Sequence, residues 1–177
     1  MTGGPQSLRP EPLTRAGFAA FGDVIEAADA FDVINSGTTR QYRKLTEIEV
    51  SADGGRTQVS LYRVVPYELP LALAMLERHP MSSQLFMPLG AAPFLVVVAP
   101  PGENVDRTSV RAFVTNGAQG VNYRRGTWHH PVIALANPSE FLVVDRVGPG
   151  ANCDEFFFDG DKLLLERPHR FRAPRRS

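Results

Sequence analysis

The 177-residue chain has one cysteine, Cys153, and one tryptophan, Trp128. A single thiol cannot close a disulfide within the chain, so packing has to hold the fold, as in a reducing compartment. No apolar run approaches the roughly 20 residues of a membrane-spanning helix. Met1-Thr-Gly-Gly-Pro-Gln6 has neither the basic nor the apolar segment of a secretion signal. The chain is therefore expected in the cytoplasm, with no membrane partner. Net charge is also missing, since 19 basic residues balance 19 acidic ones. There is no internal repeat, heptad or phosphate-binding glycine loop, which sets aside solenoids, coiled coils and P-loop nucleotide enzymes.

The balanced charge is unevenly spread. Residues 167–177 hold five arginines (167, 170, 172, 175 and 176) and no acid, which leaves 14 basic and 19 acidic residues in 1–166. Pro168 and Pro174 interrupt this basic end, so a solvated, disordered tail is expected rather than a nucleic-acid-binding arm. Residues 1–166 read as a single domain by length, and 43% hydrophobic with 21% charged residues is ordinary for a globular protein.

Short apolar stretches between Gly/Pro turns predict an all-β sandwich or barrel. Residues 1–12 are expected frayed or extended. Thr14 should cap a short helix running to Phe21 and ending at Gly22, with Leu13 stapled onto Phe18. Strands follow at Val24–Glu26, Thr57–Val65, Gln84–Met87, Phe94–Ala99, Val110–Thr115, Phe141–Arg146 and, last, Glu155–Phe158. Residues 161–166 read as a helical end. In Thr57–Val65, Val59 and Leu61 alternate with Gln58, Ser60 and Tyr62, which puts Val59, Leu61 and Arg63 on the inward face. Phe141, Val143 and Asp145 share one face of their strand. Leu71–Arg78 has helical propensity, but prolines at 66, 70 and 80 confine it. The unbroken Phe94–Ala99 run suggests burial on both faces, one of them by a second subunit.

The densest stretch is Gly120-Val-Asn-Tyr-Arg-Arg-Gly-Thr-Trp-His-His-Pro131, which holds two of the four histidines. It follows Asn116-Gly117, a tight-turn dipeptide. A strand ends, the chain turns on Gly126, and Trp128-His129-His130 enters the next strand. Neighbouring strand residues point to opposite faces, so only one of His129 and His130 can face an interior.

Gly126 and His129 have the spacing of the second half-motif of the cupin superfamily. Glu77-Arg-His79-Pro-Met-Ser-Ser-Gln84-Leu-Phe-Met-Pro-Leu-Gly90 has the layout of the first, with Glu77 in place of its first histidine and Gln84 in place of its glutamate. Together with Phe18–Ile25, Phe94–Val98 and Phe141–Arg146, these residues resemble the ureidoglycolate lyase family of cupins, from about Leu8 to Asp159. The resemblance implies a cupin-like double-stranded β-helix (a jelly-roll barrel) with a short N-terminal helix, and it makes Leu71–Arg78 a strand. It also implies a homodimer and elimination of urea from ureidoglycolate to give glyoxylate.

The resemblance aligns Glu77, His79, Gln84 and His129 as a metal-ligand set, and its donors suit a divalent ion such as nickel, manganese or zinc. Gln84 departs from the pattern, because a neutral amide offers a cation little charge. Glu77, His79 and His129 are the catalytic candidates, with Glu77 or His129 as base and His79 or an adjacent group as acid. Arg63 and Arg146 are candidates for the substrate carboxylate, and Asn122 and Tyr123 for the ureido group. His130 should face away from His129. Other metal cupins, such as dioxygenases and sugar isomerases, and non-catalytic ligand-binding cupins remain alternatives.

Overall fold

The computed structural model describes residues 6–160 and 163–169. Two sheets face each other across one core. In the first, the strands run in the order Asp154–Phe157, Met75–Arg78, Trp128–His129, Phe94–Ala99, Arg111–Val114 and Glu11–Pro12, and Ile133–Ala134 also pairs with Phe94–Ala99. The second runs Gly22–Ile25, Gly120–Tyr123, Gln84–Pro88, Ser139–Val147 and Arg56–Val64. Between them pack Phe94, Val96, Val98 and Phe113 from the first sheet and Phe86, Val121, Tyr123, Phe141 and Val143 from the second. The Phe94 and Phe141 rings join the sheets edge to face, with centroids 5.0 Å apart. The all-β, cupin-like architecture is as expected, and Leu71–Arg78 is extended (Leu71–Leu73 and Met75–Arg78). No helix among the described residues is long and apolar enough to cross a membrane.

The helix is shorter than expected, covering only Arg15–Phe18. The Thr14 hydroxyl accepts the Gly17 N–H at 3.0 Å and caps it, and Phe18 is fully buried in the main core. Residues 163–166 are not helical. Leu163–Leu165 is a strand, parallel to Ser7–Leu8 and antiparallel to Leu71–Leu73. The Leu-Leu-Leu run permits either structure by propensity, but burying Leu163 and Leu165 on one face requires a period of two. This strand, and not the one ending at Phe157, closes the described fold. The arginines at 170, 172, 175 and 176 lie outside the described residues, as do residues 1–5 and 161–162.

Two expectations about faces are reversed. Arg56–Val64 pairs with Ser139–Val147 so that Gln58, Ser60 and Tyr62 lie beside Asp145, Val143 and Phe141, on the core side. Val59, Leu61 and Arg63 therefore point outward, and Val59 and Leu61 are 62% and 57% exposed. The alternation was read in the correct period with the wrong side inward, because the apolar residues of this strand are the outer ones. Phe94–Ala99 is indeed buried on both faces, but its own chain covers it. Phe94, Val96 and Val98 enter the core between the two large sheets. Leu95, Val97 and Ala99 enter a second core with Leu73, Leu163 and Leu165. No second subunit is needed to cover this strand.

Candidate active site

The site lies at the end of the main core, where polar residues replace apolar ones on the inner faces. Glu77 and His129 are directly opposed on neighbouring strands, and His79 follows Glu77 just past the strand end. One ligand atom each from Glu77, His79 and His129 comes together with all three within 4.8 Å. The two imidazole rings lie 5.2 Å apart. Gln84, buried on the facing sheet, places its side-chain oxygen 3.1 Å from His129 Nε2, and a Glu77 carboxylate oxygen stands 3.5 Å from the same nitrogen.

Backbone carbonyls fix the histidine tautomers. His129 Nδ1–H donates to the Thr127 carbonyl at 2.9 Å, and His79 Nδ1–H donates to the Asn152 carbonyl at 2.6 Å. Each ring therefore turns an unprotonated Nε2 toward the cluster. His79 Nε2 is buried with no hydrogen-bond partner. Two nitrogen lone pairs, a carboxylate and an amide oxygen converge with no donor between them. A cation is what such an arrangement lacks, so these residues fit a divalent metal.

The electrostatics agree. Burial pushes the His129 pKa down, outweighing the upward pull of Glu77, so the ring is neutral at neutral pH. Burial alone would raise the Glu77 carboxyl. The neighbouring imidazoles, His129 first and then His79 and His130, outweigh this and hold it below its usual value. Tyr123 stacks on the His129 ring at 4.2 Å with a 16° tilt. Its phenol is held protonated, by burial first and by the Glu77 charge second.

Cavities of about 370 Å³ flank the cluster on two sides, ample for a small metabolite. One is lined by Tyr62, Val65, Tyr67, Glu77, Gln84 and Phe86. The other is lined by Gln58, His79, Asp145, Asn152 and Cys153. Two further depressions lie under the 43–49 loop, away from the cluster, and are lined by Asp23, Lys44 and Arg124.

Glu77, His79, Gln84, His129 and Tyr123 are thus brought together, and the remaining candidates are not. Arg63 reaches the rim of one cavity, but its guanidinium pairs with Glu140 at 2.7 Å on the outer face. Arg146 lines the other cavity, yet its guanidinium donates to the Ala52 and Pro149 carbonyls, where it clamps two turns. Asn122 alternates with Tyr123 and faces the other side of its sheet, donating to Thr46 and to the Glu47 carbonyl. His130 is outside the cluster, with Nδ1 on the Pro131 carbonyl and its ring edge-on to Tyr67.

Sequence reasoning left Asp145 undecided, as a partner for an arginine or a histidine, and gave Gln58 no role. The available signal for Asp145 was its alternation with Phe141 and Val143, whereas Gln58 lies on the face that the alternation of its own strand was read as turning outward. Asp145 accepts a hydrogen bond from Gln58, comes beside Gln84 through the strand register and shares a cavity wall with His79. The carbonyls of Thr127 and Asn152 left no signal, since a backbone acceptor has no side-chain signature.

A β-barrel with two imidazoles and a carboxylate converging on its interior defines a cupin-type protein. The chain belongs to the ureidoglycolate lyase family, whose sequence model matches residues 5–165. It is 53% identical to a ureidoglycolate lyase of Azotobacter vinelandii, over 91% of this chain and 98% of that one. It is 51% identical to one from Pseudomonas aeruginosa PAO1, over 92% and 97% of the two chains. With one from Pseudomonas fluorescens SBW25 it shares 49%, over 93% and 99%.

Proposed function

We propose that this chain is a ureidoglycolate lyase, releasing urea from ureidoglycolate to leave glyoxylate in the breakdown of allantoin. The observation that carries this reading is the convergence of Glu77, His79 and His129 at the end of the core of a family member. Its lone cysteine suits a cytoplasmic enzyme.

In ureidoglycolate one carbon bears the hydroxyl, the carboxylate and the ureido nitrogen. Cleavage removes the hydroxyl proton, forms the C=O bond, breaks the C–N bond and places a proton on the departing nitrogen. No water is consumed. The losing oxygen and the gaining nitrogen sit on the same carbon, so one carboxylate can serve both. Glu77, held ionised, takes the proton on one oxygen and returns it to the nitrogen. His79 and His129 present unprotonated Nε2 atoms, which makes them better ligands than acids. Glu77, His79, Gln84 and His129 would hold a divalent ion, with nickel, manganese and zinc the candidates. When bound, such an ion draws charge from the hydroxyl and carboxylate oxygens and so eases loss of the hydroxyl proton. Tyr123 keeps its phenol proton and backs the His129 ring.

The test is incubation of purified protein with ureidoglycolate. Urea and glyoxylate in equal amounts without ammonia are expected. Ammonia would mean an amidohydrolase, and binding without turnover a ligand-binding protein. Glu77→Gln should abolish urea release while substrate still binds. Turnover within about tenfold of wild type would remove Glu77 from the proton's path.

The chain is also read as a homodimer. Val59, Leu61 and Leu142 lie on the outer face of the five-stranded sheet, 62%, 57% and 37% exposed. Val144, Leu85 and Met87 continue that face through the strand pairing.

A further inference from the structure

We propose that Asp145 is a positioning residue for the metal site, and that it supplies from behind Gln84 the negative charge that Gln84 itself lacks. This rests on the reading that Glu77, His79, Gln84 and His129 hold a divalent ion. An amide can turn either end toward a ligand cluster, and only its oxygen is a useful donor to a cation. The oxygen faces inward here, with Oε1 3.1 Å from His129 Nε2. Something must hold the NH2 end on the opposite side.

The strand register supplies it. Gln84–Pro88 and Ser139–Val147 run antiparallel with Val143 opposite Phe86 and Val144 opposite Leu85, so Asp145 comes beside Gln84 one step further on. On the other flank Asp145 pairs directly with Gln58, whose amide nitrogen lies 3.4 Å from Asp145 Oδ1. Gln58, Asp145 and Gln84 thus form a row across three adjacent strands on the inner face. An ionised carboxylate only accepts hydrogen bonds. Asp145 takes the Gln84 NH2 and leaves the amide oxygen for the cluster. The row also polarises that oxygen, as outer partners do for ligands generally. In effect the glutamate charge absent from position 84 sits one residue further out.

The experiment reads metal binding rather than turnover. Wild type and variants are stripped with chelator, and Ni2+ affinity is measured by calorimetry, with thermal melts to check folding. Asp145→Asn can donate as well as accept and no longer dictates the amide's orientation, so it should weaken Ni2+ binding by about 10- to 100-fold. Adding Gln84→Glu to Asp145→Asn should restore most of the loss, because the carboxylate then sits in the cluster. In a Gln84→Leu background, Asp145→Asn should change Ni2+ affinity less than about threefold, since Asp145 acts through Gln84. Unchanged affinity in a folded Asp145→Asn protein overturns the proposal, as does failure of the rescue. Should Asp145→Asn not fold, the rescued double variant decides: wild-type-like affinity supports the role and lost affinity overturns it. If wild type binds neither Ni2+, Mn2+ nor Zn2+, the metal reading itself falls and this inference with it.

Discussion

His129 and His130 are adjacent, buried and chemically identical, yet their surroundings give them different work. His129 is held by the Thr127 carbonyl with Nε2 toward Glu77, whereas His130 spends Nδ1 on its neighbour's carbonyl and packs against Tyr67. His129→Ala should therefore lower urea release by more than about a hundredfold, and His130→Ala by about 10- to 100-fold at most, through packing. Steady-state kinetics with circular dichroism checks this, and a dead His130→Ala beside an active His129→Ala would sink it. Acid should act on the same residues. Burial lowers the pKa of His129 from its usual 6.5, and Glu77 is held below its usual 4.5. Each then binds fewer protons folded than unfolded, so the chelated protein should lose stability as pH falls from about 6.5, first through His129 and below about 4.5 through Glu77. Melting curves from pH 8 to 4 measure this, and His129→Gln should flatten the slope between pH 7 and 5. An equal slope in that variant would place the acid sensitivity elsewhere. Strand alternation let only one of the two histidines face inward, and the resemblance to the cupin half-motif, through its spacing from Gly126, pointed to His129. The fate of the arginines was not legible, because Arg63 and Arg146 satisfy their charges on Glu140 and on loop carbonyls that no local pattern announces.

The elements that carry the site were mostly legible, since Gly/Pro turns and period-two apolar stretches mark strands whatever they pair with. What the pattern could not supply was the side. Arg56–Val64 keeps its period, but the facing strand, 75 residues or more away in sequence, decides which set is inside. Tertiary pairing likewise turned Leu163–Leu165 into a strand. Gly22 shows how closely such pairings constrain a residue. It lies opposite Tyr123 with φ +155°, and a Cβ there would come within 2.0 Å of the Asn122 carbonyl oxygen. That contact is with backbone, so it cannot be relieved by a side chain swinging away. Gly22→Ala should push back the strand that holds Tyr123 against His129. We expect a loss of about 2–4 kcal/mol in stability, with activity lost beyond what unfolding explains. Denaturant melts and kinetics on the folded fraction test this, and a wild-type melt would show that the two strands are not so tightly apposed.

For the whole molecule, the open question is what covers the outer face of the five-stranded sheet. The sequence suggested a subunit contact through the wrong strand. Phe94–Ala99 proved to be sandwiched within its own chain, while Val59 and Leu61 on the edge strand Arg56–Val64, and Leu142 on its neighbour, stand in solvent. Strand pairing makes this face continuous with Val144, Leu85 and Met87. The homodimer proposed above would place a second copy there, the same apolar face on each chain meeting about a two-fold axis. Burying a side chain such as Leu61 contributes about 1.5–3 kcal/mol, and a lysine in its place would also have to shed its hydration. Leu61→Lys should therefore weaken association by roughly a hundredfold or more while leaving the core of each chain intact. Light scattering at micromolar concentration should find wild type at twice the 19.4 kDa chain mass and the variant at the chain mass. A monomeric wild type would end the dimer reading, and a dimeric variant would move the interface to another face. The Glu77–His79–His129 cluster draws every ligand from one chain, so a monomeric Leu61→Lys protein should still bind Ni2+ with wild-type affinity. Loss of Ni2+ binding together with association would mean that the contact shapes the site as well as the assembly.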